Sequence, residues 1–430
     1  MVSESLEIRD GRLLIDGADT VELAEKYGTP LYVMSETGIR RNCRSYVESI
    51  EKNYGGHGLV IFASKAFCCK EMCRIVESEK MGLDVVSAGE IATAYAAGFP
   101  MEKVYFHGSN KSLSEIEYAL DRGVGTFVVD NNRELLLLSE TAERKGIKAD
   151  VIFRIKPGID AHTHSFIRTG QIDSKFGFAL ETGEAMESVK YALNLDNIVV
   201  KGVHCHIGSQ ILDVEPFREA AAVMIGFMDS VRKETGVVLE TLDLGGGFGI
   251  KYKSSDKAVP YSEYMEAVAE TVKKSCEEKS LPLPFIILEP GRSITGAEGI
   301  TIYEAGAVKE IPGIRTYVSV DGGMTDNPRY MLYQSEYEMT LAERADEPKT
   351  EKVTVAGKCC ESGDLLGEGV MIQPVKPGDL LVVFSTGAYN YSMASNYNRL
   401  PKPAVVMVRD GESRIIVKRE SLEDLSAWDL

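Results

Sequence analysis

The residues of this chain with the most chemical potential fall where apolar runs end. Residues 61–67 read IFASKAF, with a lone lysine, Lys65, following Ile61, Phe62 and Ala63. An amine in apolar company is poorly solvated as an ammonium, which favours the neutral form and attack on a carbonyl to give a Schiff base. A snorkelling or ion-paired lysine at a strand end is the plainer alternative. Residues 204–210, HCHIGSQ, set His204 and His206 at i and i+2 on one face of a strand. That spacing suits a metal ion, and a flat imidazole also suits stacking on an aromatic cofactor. Residues 244–250, LGGGFGI, strip side chains from a strand-to-loop turn, so the N–H groups of Gly245, Gly246 and Gly247 can approach a phosphate. Residues 289–293, EPGRS, end the apolar run FIIL with Glu289, a carboxylate that needs a cationic partner there. Arg292 is one candidate. A protonated pyridine nitrogen is the other, the arrangement that turns pyridoxal phosphate into an electron sink.

Several chemistries fit poorly. Barrel amidohydrolases carry an HxH pair at a strand end but need further histidines on later strands. All six histidines here (His57, His107, His162, His164, His204, His206) are used up by His206, so no metal is expected. The glycine run lacks G-x-x-x-x-G-K-[ST] and no acidic residue ends a strand about twenty residues later, which disfavours nucleotide triphosphates and dinucleotides. A formal net charge of -17 leaves no dominant basic face for nucleic acid or an anionic membrane. Eight cysteines show no C-x-x-C spacing, and the charged opening MVSESLEIRDGRL has no apolar signal segment. A cytoplasmic protein with reduced thiols is expected.

The elements that position these residues follow from hydrophobic periodicity. Between residues 58 and 291, eight apolar, β-branched runs alternate with amphipathic stretches: GLVIFASK, GLDVVSAG, VYFHGS, GTFVVDN, ADVIFRI, IVVKGVHCHIGS, ETLDLGGG and PFIILEPG. Near-continuous apolar strands between helices mean a parallel sheet covered on its faces, and eight units favour closure into a (β/α)8 TIM barrel over an open doubly wound sheet. After Gly291 the pattern becomes all-β, with runs such as RTYVSV, EKVTVAG, DLLVVFS, AVVMVR and SRIIVKR. The opening LEIRDGRLLIDG reads as a hairpin around Asp10-Gly11 and is assigned to the same β domain. The expected division is therefore a barrel over 30–292 and a discontinuous β domain over 1–29 and 293–430, an α/β fold with a C-terminal β-sandwich or barrel. In such a barrel chemistry gathers at the carboxyl ends of the strands. Lys65 ends the first, Asp84 and Ser87 the second, His107 the third, Arg154 the fifth, His204 and His206 the sixth, the glycine run the seventh, and Glu289 with Arg292 the eighth.

Taken together and in order, FASKAF, LDVVSAGE, RIKPGIDAHTH followed by SKFG, HCHIGSQ, LGGGFGI, EPGRS, GKCCESGD and TGAYNYSMASNYN resemble the diaminopimelate decarboxylases, fold-type III pyridoxal-phosphate enzymes, along nearly the whole chain. The resemblance implies that Lys65 holds the cofactor as a Schiff base, His206 stacks on its ring and Glu289 keeps its nitrogen protonated. Ser209 and Gly245 to Gly247 would bind the phosphate, with Pro290, Gly291, Arg292 and Tyr389 also at the cofactor. Arg292, Arg329, Tyr333, Glu361 and Tyr389 would contact an amino-acid substrate, and Cys360 would come from the partner subunit of a head-to-tail homodimer with shared active sites. The chemistry agrees: two arginines can grip carboxylates, Glu361 can pair with an ammonium, and a cysteine thiol can donate a proton.

The implied reaction is decarboxylation of meso-2,6-diaminopimelate to L-lysine and CO2, the last step of lysine biosynthesis. A related ornithine, arginine or carboxynorspermidine decarboxylase shares the cofactor motifs, and the fold type also includes alanine racemase. A non-catalytic pyridoxal-phosphate carrier would lack the substrate residues. ESGD with Arg329 and Tyr333 favours a distal carboxylate on the substrate. One departure is Phe67, where the family usually has asparagine after Lys-Ala. His162, His164 and Lys175 fall in a polar loop with no assigned role.

Overall fold

Each of the eight apolar runs forms a strand in the computed structural model, which describes residues 1–159 and 174–430. His162 and His164 lie outside the described residues. The strands are β1 (Gly58–Ala63), β2 (Gly82–Val85), β3 (Val104–Phe106), β4 (Thr126–Val129), β5 (Ala149–Lys156), β6 (Ile198–His204), β7 (Thr241–Asp243) and β8 (Phe285–Leu288). Each pairs in parallel with the next, and β8 returns to β1 with Ile286 opposite Gly58 and Leu288 opposite Val60. Closure removes both sheet edges, which is the barrel rather than the open sheet. The strands are buried almost throughout because their inner faces fill the barrel and their outer faces meet helices.

Local signals start the helices where the strands end. Ser87 accepts the backbone N–H of Glu90 and caps Ala88–Ala97. Ser112 and Glu115 form a reciprocal capping box at Leu113–Asp121, and Asn131 caps Asn132–Lys145. Ser87, one of the polar strand-end residues, is thus a helix cap. In β6 a bulge falls between Val200 and Gly202, and a Cβ on Gly202 would run into the Thr241 carbonyl of β7, so only glycine lets the two strands close there.

The chain divides into two compact units, one of Cys43–Gly249 with Ala258–Gly291 and the other of Met1–Asn42, Ile250–Lys257 and Arg292–Leu430. The expected boundary at residue 30 is moved by Leu31–Ser35. That strand pairs antiparallel with Gly299–Ile311 and parallel with Ala404–Arg409, so its five buried residues serve the β unit. The opening hairpin forms as expected: Leu6–Arg9 pairs with Arg12–Ile15, and Asp10 and Gly11 take φ of 51° and 80°, the primed turn that matches strand twist. Gly299–Ile311, diluted by Gly, Ala and charged residues, escaped the apolar-run reading yet is the organising strand. It pairs along its length with Leu31–Ser35, Leu380–Val383 and Arg315–Val320, and a register shift between Ala305 and Val308 turns it from one partner to the next. The unit also carries helices, Thr20–Tyr27 among them, which the all-β expectation left out. Two apolar cores fill it, one around Leu31, Val33, Ile300 and Val406 and one around Tyr303, Val318, Leu341 and Val355. All eight cysteines are free, and among the described residues no helix is long and apolar enough to cross a membrane.

Candidate active site

The carboxyl ends of the barrel strands enclose a cavity of about 460 Å³ lined by Lys65, His107, Arg154, His204, His206 and Glu289 together with the Gly108 to Lys111 loop. Lys65 projects from the single turn Ser64–Ala66 that follows β1. Its side chain is 42% exposed, with Nζ 3.9 Å from Asp84 Oδ2. The expectation of a desolvated amine is therefore corrected: the apolar neighbours belong to the strand, and the lysine lies one turn beyond it, on the cavity wall beside a carboxylate. Phe67, the departure from the family pattern, is buried in the barrel unit.

Behind the cavity wall sits a knot of buried ionisable groups. His107 Nε2 lies 2.8 Å from Glu289 Oε1 and 3.8 Å from Asp84 Oδ1, and His204 Nε2 lies 3.4 Å from Glu289 Oε2. Burial works to raise the Glu289 carboxyl, but His107 and His204 outweigh it and hold Glu289 well below the usual carboxylate range. Asp243, at the end of β7, moves the other way: burial and then the neighbouring Glu289 charge push it well up. Burial drives His204 down to about 4, leaving it neutral near pH 7. Burial, then the charges of Lys65 and Arg154, also depress His206. His206 is fixed by the loop after β7, where the Gly246 N–H donates to its Nδ1 at 3.3 Å. A neutral ring held at one nitrogen is a flat, oriented surface.

Donor atoms of His107, His204 and Glu289 lie within 4.8 Å of one another, with His107 Nε2 at 2.8 Å and His204 Nε2 at 3.4 Å from the Glu289 carboxylate. His206, the second member of the HxH pair considered for a metal, is not among them. The glycine run is less open to an anion than its sequence suggested. Gly245 N–H donates to Asp243 Oδ1 at 2.8 Å and Gly246 N–H to His206, and a Cβ on Gly246 would run into the Glu289 carbonyl. Close backbone approach between the loops after β6, β7 and β8 therefore already requires glycine at that position.

Sequence reasoning passed over Lys111, Glu134 and Glu90 in the barrel and named Arg154 only as the polar end of the fifth strand. Lys111 is buried with Glu134, its ammonium donating to Gly108 O, Val128 O and Glu134 Oε1 at 3.0, 2.8 and 2.8 Å. Arg154, over the Phe176 ring at 4.2 Å, lies 3.9 Å from Asp130. Glu90, raised to about 7 by burial, accepts the Val86 N–H at 2.7 Å. Asp130 and Asp243 carried a signal, since both close quoted apolar runs. Lys111 and Glu134 did not, because their pairing spans a loop and a helix.

The β unit holds a second cluster. Arg292 and Arg329, each 6% exposed, pack against the same ring, Tyr389, at 4.7 and 5.2 Å. Arg292 also donates to the Tyr252 hydroxyl, and Arg329 lies over Tyr333 at 4.8 Å. Nε of Arg329 has no hydrogen-bond partner among the described residues. Tyr389 takes φ +67°, a strained conformation for a bulky side chain, in a loop whose next residue, Asn390, is fully buried. Cys360 and Glu361 lie on the surface of this unit, with Cys360 N–H donating to Asn398 Oδ1 at 2.7 Å. The loop that bears them is held by Asp364, a residue the sequence reading passed over. Its buried carboxylate accepts from Met324 N–H at 2.6 Å and Cys359 N–H at 2.7 Å. Lys175 lies over the Phe176 ring at 5.0 Å.

The barrel residues suit pyridoxal phosphate. The cavity falls within the roughly 300–1,000 Å³ of ligand pockets. An amine stands on its wall, a carboxylate and a flat imidazole converge on it, and both oxygens of buried Asp84 have no hydrogen-bond partner among the described residues. Residues 37–296 match the family model described as the pyridoxal binding domain of pyridoxal-dependent decarboxylases. A diaminopimelate decarboxylase of Bacillus subtilis is 47% identical over 426 residues, covering 99% of this chain and 97% of that protein. The crystal structure of a diaminopimelate decarboxylase from M. jannaschii in complex with L-lysine matches with a TM-score of 0.93 at 38% identity, over 99% of this chain and 98% of the other. A Helicobacter pylori diaminopimelate decarboxylase, also with L-lysine, matches at 0.86 and 33%, over 95% and 98% of the two chains.

Proposed function

This chain belongs to the diaminopimelate decarboxylases, and from that membership we propose how its own residues divide the conversion of meso-2,6-diaminopimelate to L-lysine and CO2. Bound pyridoxal phosphate supplies an aldehyde carbon to which an amine attaches and an electron-poor ring that accepts the electron pair left by departing CO2. Lys65 holds the aldehyde through Nζ, and Asp84, 3.9 Å away, is placed to take or return a proton at that nitrogen. Glu289 provides the negative charge that keeps the ring nitrogen protonated. His206 provides the face on which the ring rests. Ser209, Gly247 and Gly291 take the phosphate, with Gly245 and Gly246 shaping the loop, and Pro290, Arg292 and Tyr389 complete the cofactor's surroundings.

Arg292 and Arg329, assisted by Tyr333 and Tyr389, bind carboxylate, because a guanidinium buried among aromatic rings gains more from an anion than one in water. Glu361 pairs with the ammonium at the far end of the substrate, and Cys360 delivers the proton that replaces CO2 on carbon. The exposure of Cys360 and Glu361 supports a homodimer in which each subunit lends them to the other's site. Free cysteines and an acidic composition support a cytoplasmic enzyme.

The convergence of Lys65, His206 and the His107–Glu289 pair on one cavity carries this reading. The test is CO2 release from meso-diaminopimelate, ornithine and arginine by the holoenzyme, alongside the absorbance of its cofactor. Turnover of diaminopimelate alone, with the cofactor band altered in Lys65→Ala, is expected. An unchanged band in that variant overturns the assignment of Lys65. Mixing Lys65→Ala with Cys360→Ala is expected to restore part of the activity through hybrid dimers, and no recovery would argue against shared sites.

A further inference from the structure

Glu289 must stay charged for the reading above to work, yet it is only 5% exposed, at a strand end where an isolated carboxylate would take up a proton. A carboxylate offers about four acceptor positions. His107 Nε2 meets Oε1 at 2.8 Å, and His204 Nε2 stands at 3.4 Å from Oε2. Asp243 is fixed alongside by Gly245 N–H. His107 makes the shorter contact, and its backbone N–H donates to Val85 O of β2 at 2.8 Å. Its ring meets that of His204 edge-on at 5.0 Å. The charged and titratable groups around it are Asp84 from β2, Glu90 and Glu115 from the helices after β2 and β3, Arg154 from β5, His204 from β6 and His206 just after it, Asp243 from β7, Glu289 after β8, and the Lys65 and Lys111 side chains that share the cavity. His107 is therefore interposed between two buried carboxylates on strands that are not neighbours, one beside Lys65 and one assigned to the ring nitrogen.

We propose that His107 is a positioning residue: through Nε2 it keeps Glu289 ionised and oriented as the counter-charge for the ring nitrogen of pyridoxal phosphate. The inference rests on the assignment of Glu289 made above. Removing the imidazole leaves Glu289 with burial opposed only by the more distant His204, so it takes up a proton at higher pH and its hold on a protonated ring weakens.

The test compares His107→Phe, which keeps a flat ring and loses the nitrogen, with His107→Gln, which restores an N–H donor near the Nε2 position. Apo-protein is titrated with pyridoxal phosphate, and the absorbance of the bound cofactor is followed as pH is lowered. The phenylalanine variant is expected to bind the cofactor about ten- to a hundredfold more weakly, as losing a close polar contact to a buried charged group does. Its acid-side spectral midpoint should move to higher pH by about one unit or more, and glutamine should return both values most of the way. Unchanged affinity and midpoint in the phenylalanine variant, with Lys65→Ala still altering the band, overturn the inference and leave the site reading standing. A band that ignores Lys65→Ala overturns both. If the phenylalanine variant does not fold, His107→Asn, whose amide stops short of the Nε2 position, replaces it under the same two outcomes.

Discussion

The barrel cavity and the arginine cluster of the β unit handle buried charge in opposite ways. In the barrel, acids and bases are paired with one another: His107 and His204 with Glu289, Lys111 with Glu134. In the β unit, Arg292 and Arg329 are buried against tyrosine rings, with 4.7 and 5.2 Å to Tyr389. Paired charges lock a framework, because removing one partner strands the other in low dielectric. Cations faced by rings remain able to accept an anion, since the ring quadrupole attracts them without neutralising them. This is the division of labour expected if, as proposed above, the barrel holds the cofactor and the arginine cluster receives the substrate.

That contrast can be broken at several points. Lys65→Ala should lower CO2 release from meso-diaminopimelate by roughly a thousandfold or more, while cofactor-independent stability, read by thermal unfolding, stays close to the parent. Lys111→Met should do the reverse. It leaves Glu134 buried without its ammonium and destabilises the fold by about 3–5 kcal/mol, and a Lys111→Met, Glu134→Leu double variant should recover much of that in chemical denaturation. Arg329→Ala should lower kcat/KM about ten- to a hundredfold, the loss of a charge-assisted contact, with cofactor affinity unchanged. Equal losses of substrate and cofactor affinity would erase the distinction between the two regions.

The smallest effect expected is a pH dependence in the β unit. Asp326, 2% exposed, accepts from Tyr303 and from Gly323 N–H at 3.0 Å, and burial raises it to about 7. A carboxyl whose folded value exceeds its unfolded one binds protons more tightly when folded, so its stabilisation is present in acid and is lost as pH rises through 7. Between pH 6 and 8 this amounts to about 1.4 kcal/mol. Unfolding of Asp326→Asn should lack that slope, and a slope that survives the substitution would assign it elsewhere.

Much of this was legible in sequence. The eight apolar runs each became a barrel strand, and the polar residues at their ends line the cavity as Lys65, His107, Arg154, His204, His206 and Glu289. The arginine cluster was a different matter: Arg329, Tyr333 and Tyr389 were singled out only through resemblance, because nothing local distinguishes an arginine that will be buried against tyrosine from one at the surface. The solvation of Lys65 was misjudged because flanking residues report the strand, while the lysine belongs to the turn beyond it.

Sequence by itself determined the alternation of strand and helix, the polar strand ends and the hairpin at Asp10-Gly11, since each depends on periodicity or turn chemistry within a few residues. Tertiary structure alone decided that His107 after the third strand and Glu289 after the eighth would meet at 2.8 Å, and that Leu31–Ser35 would join the β unit. The reason is geometric. Local pattern says that a strand is buried, but which strand ends face one another is settled only when the sheet closes.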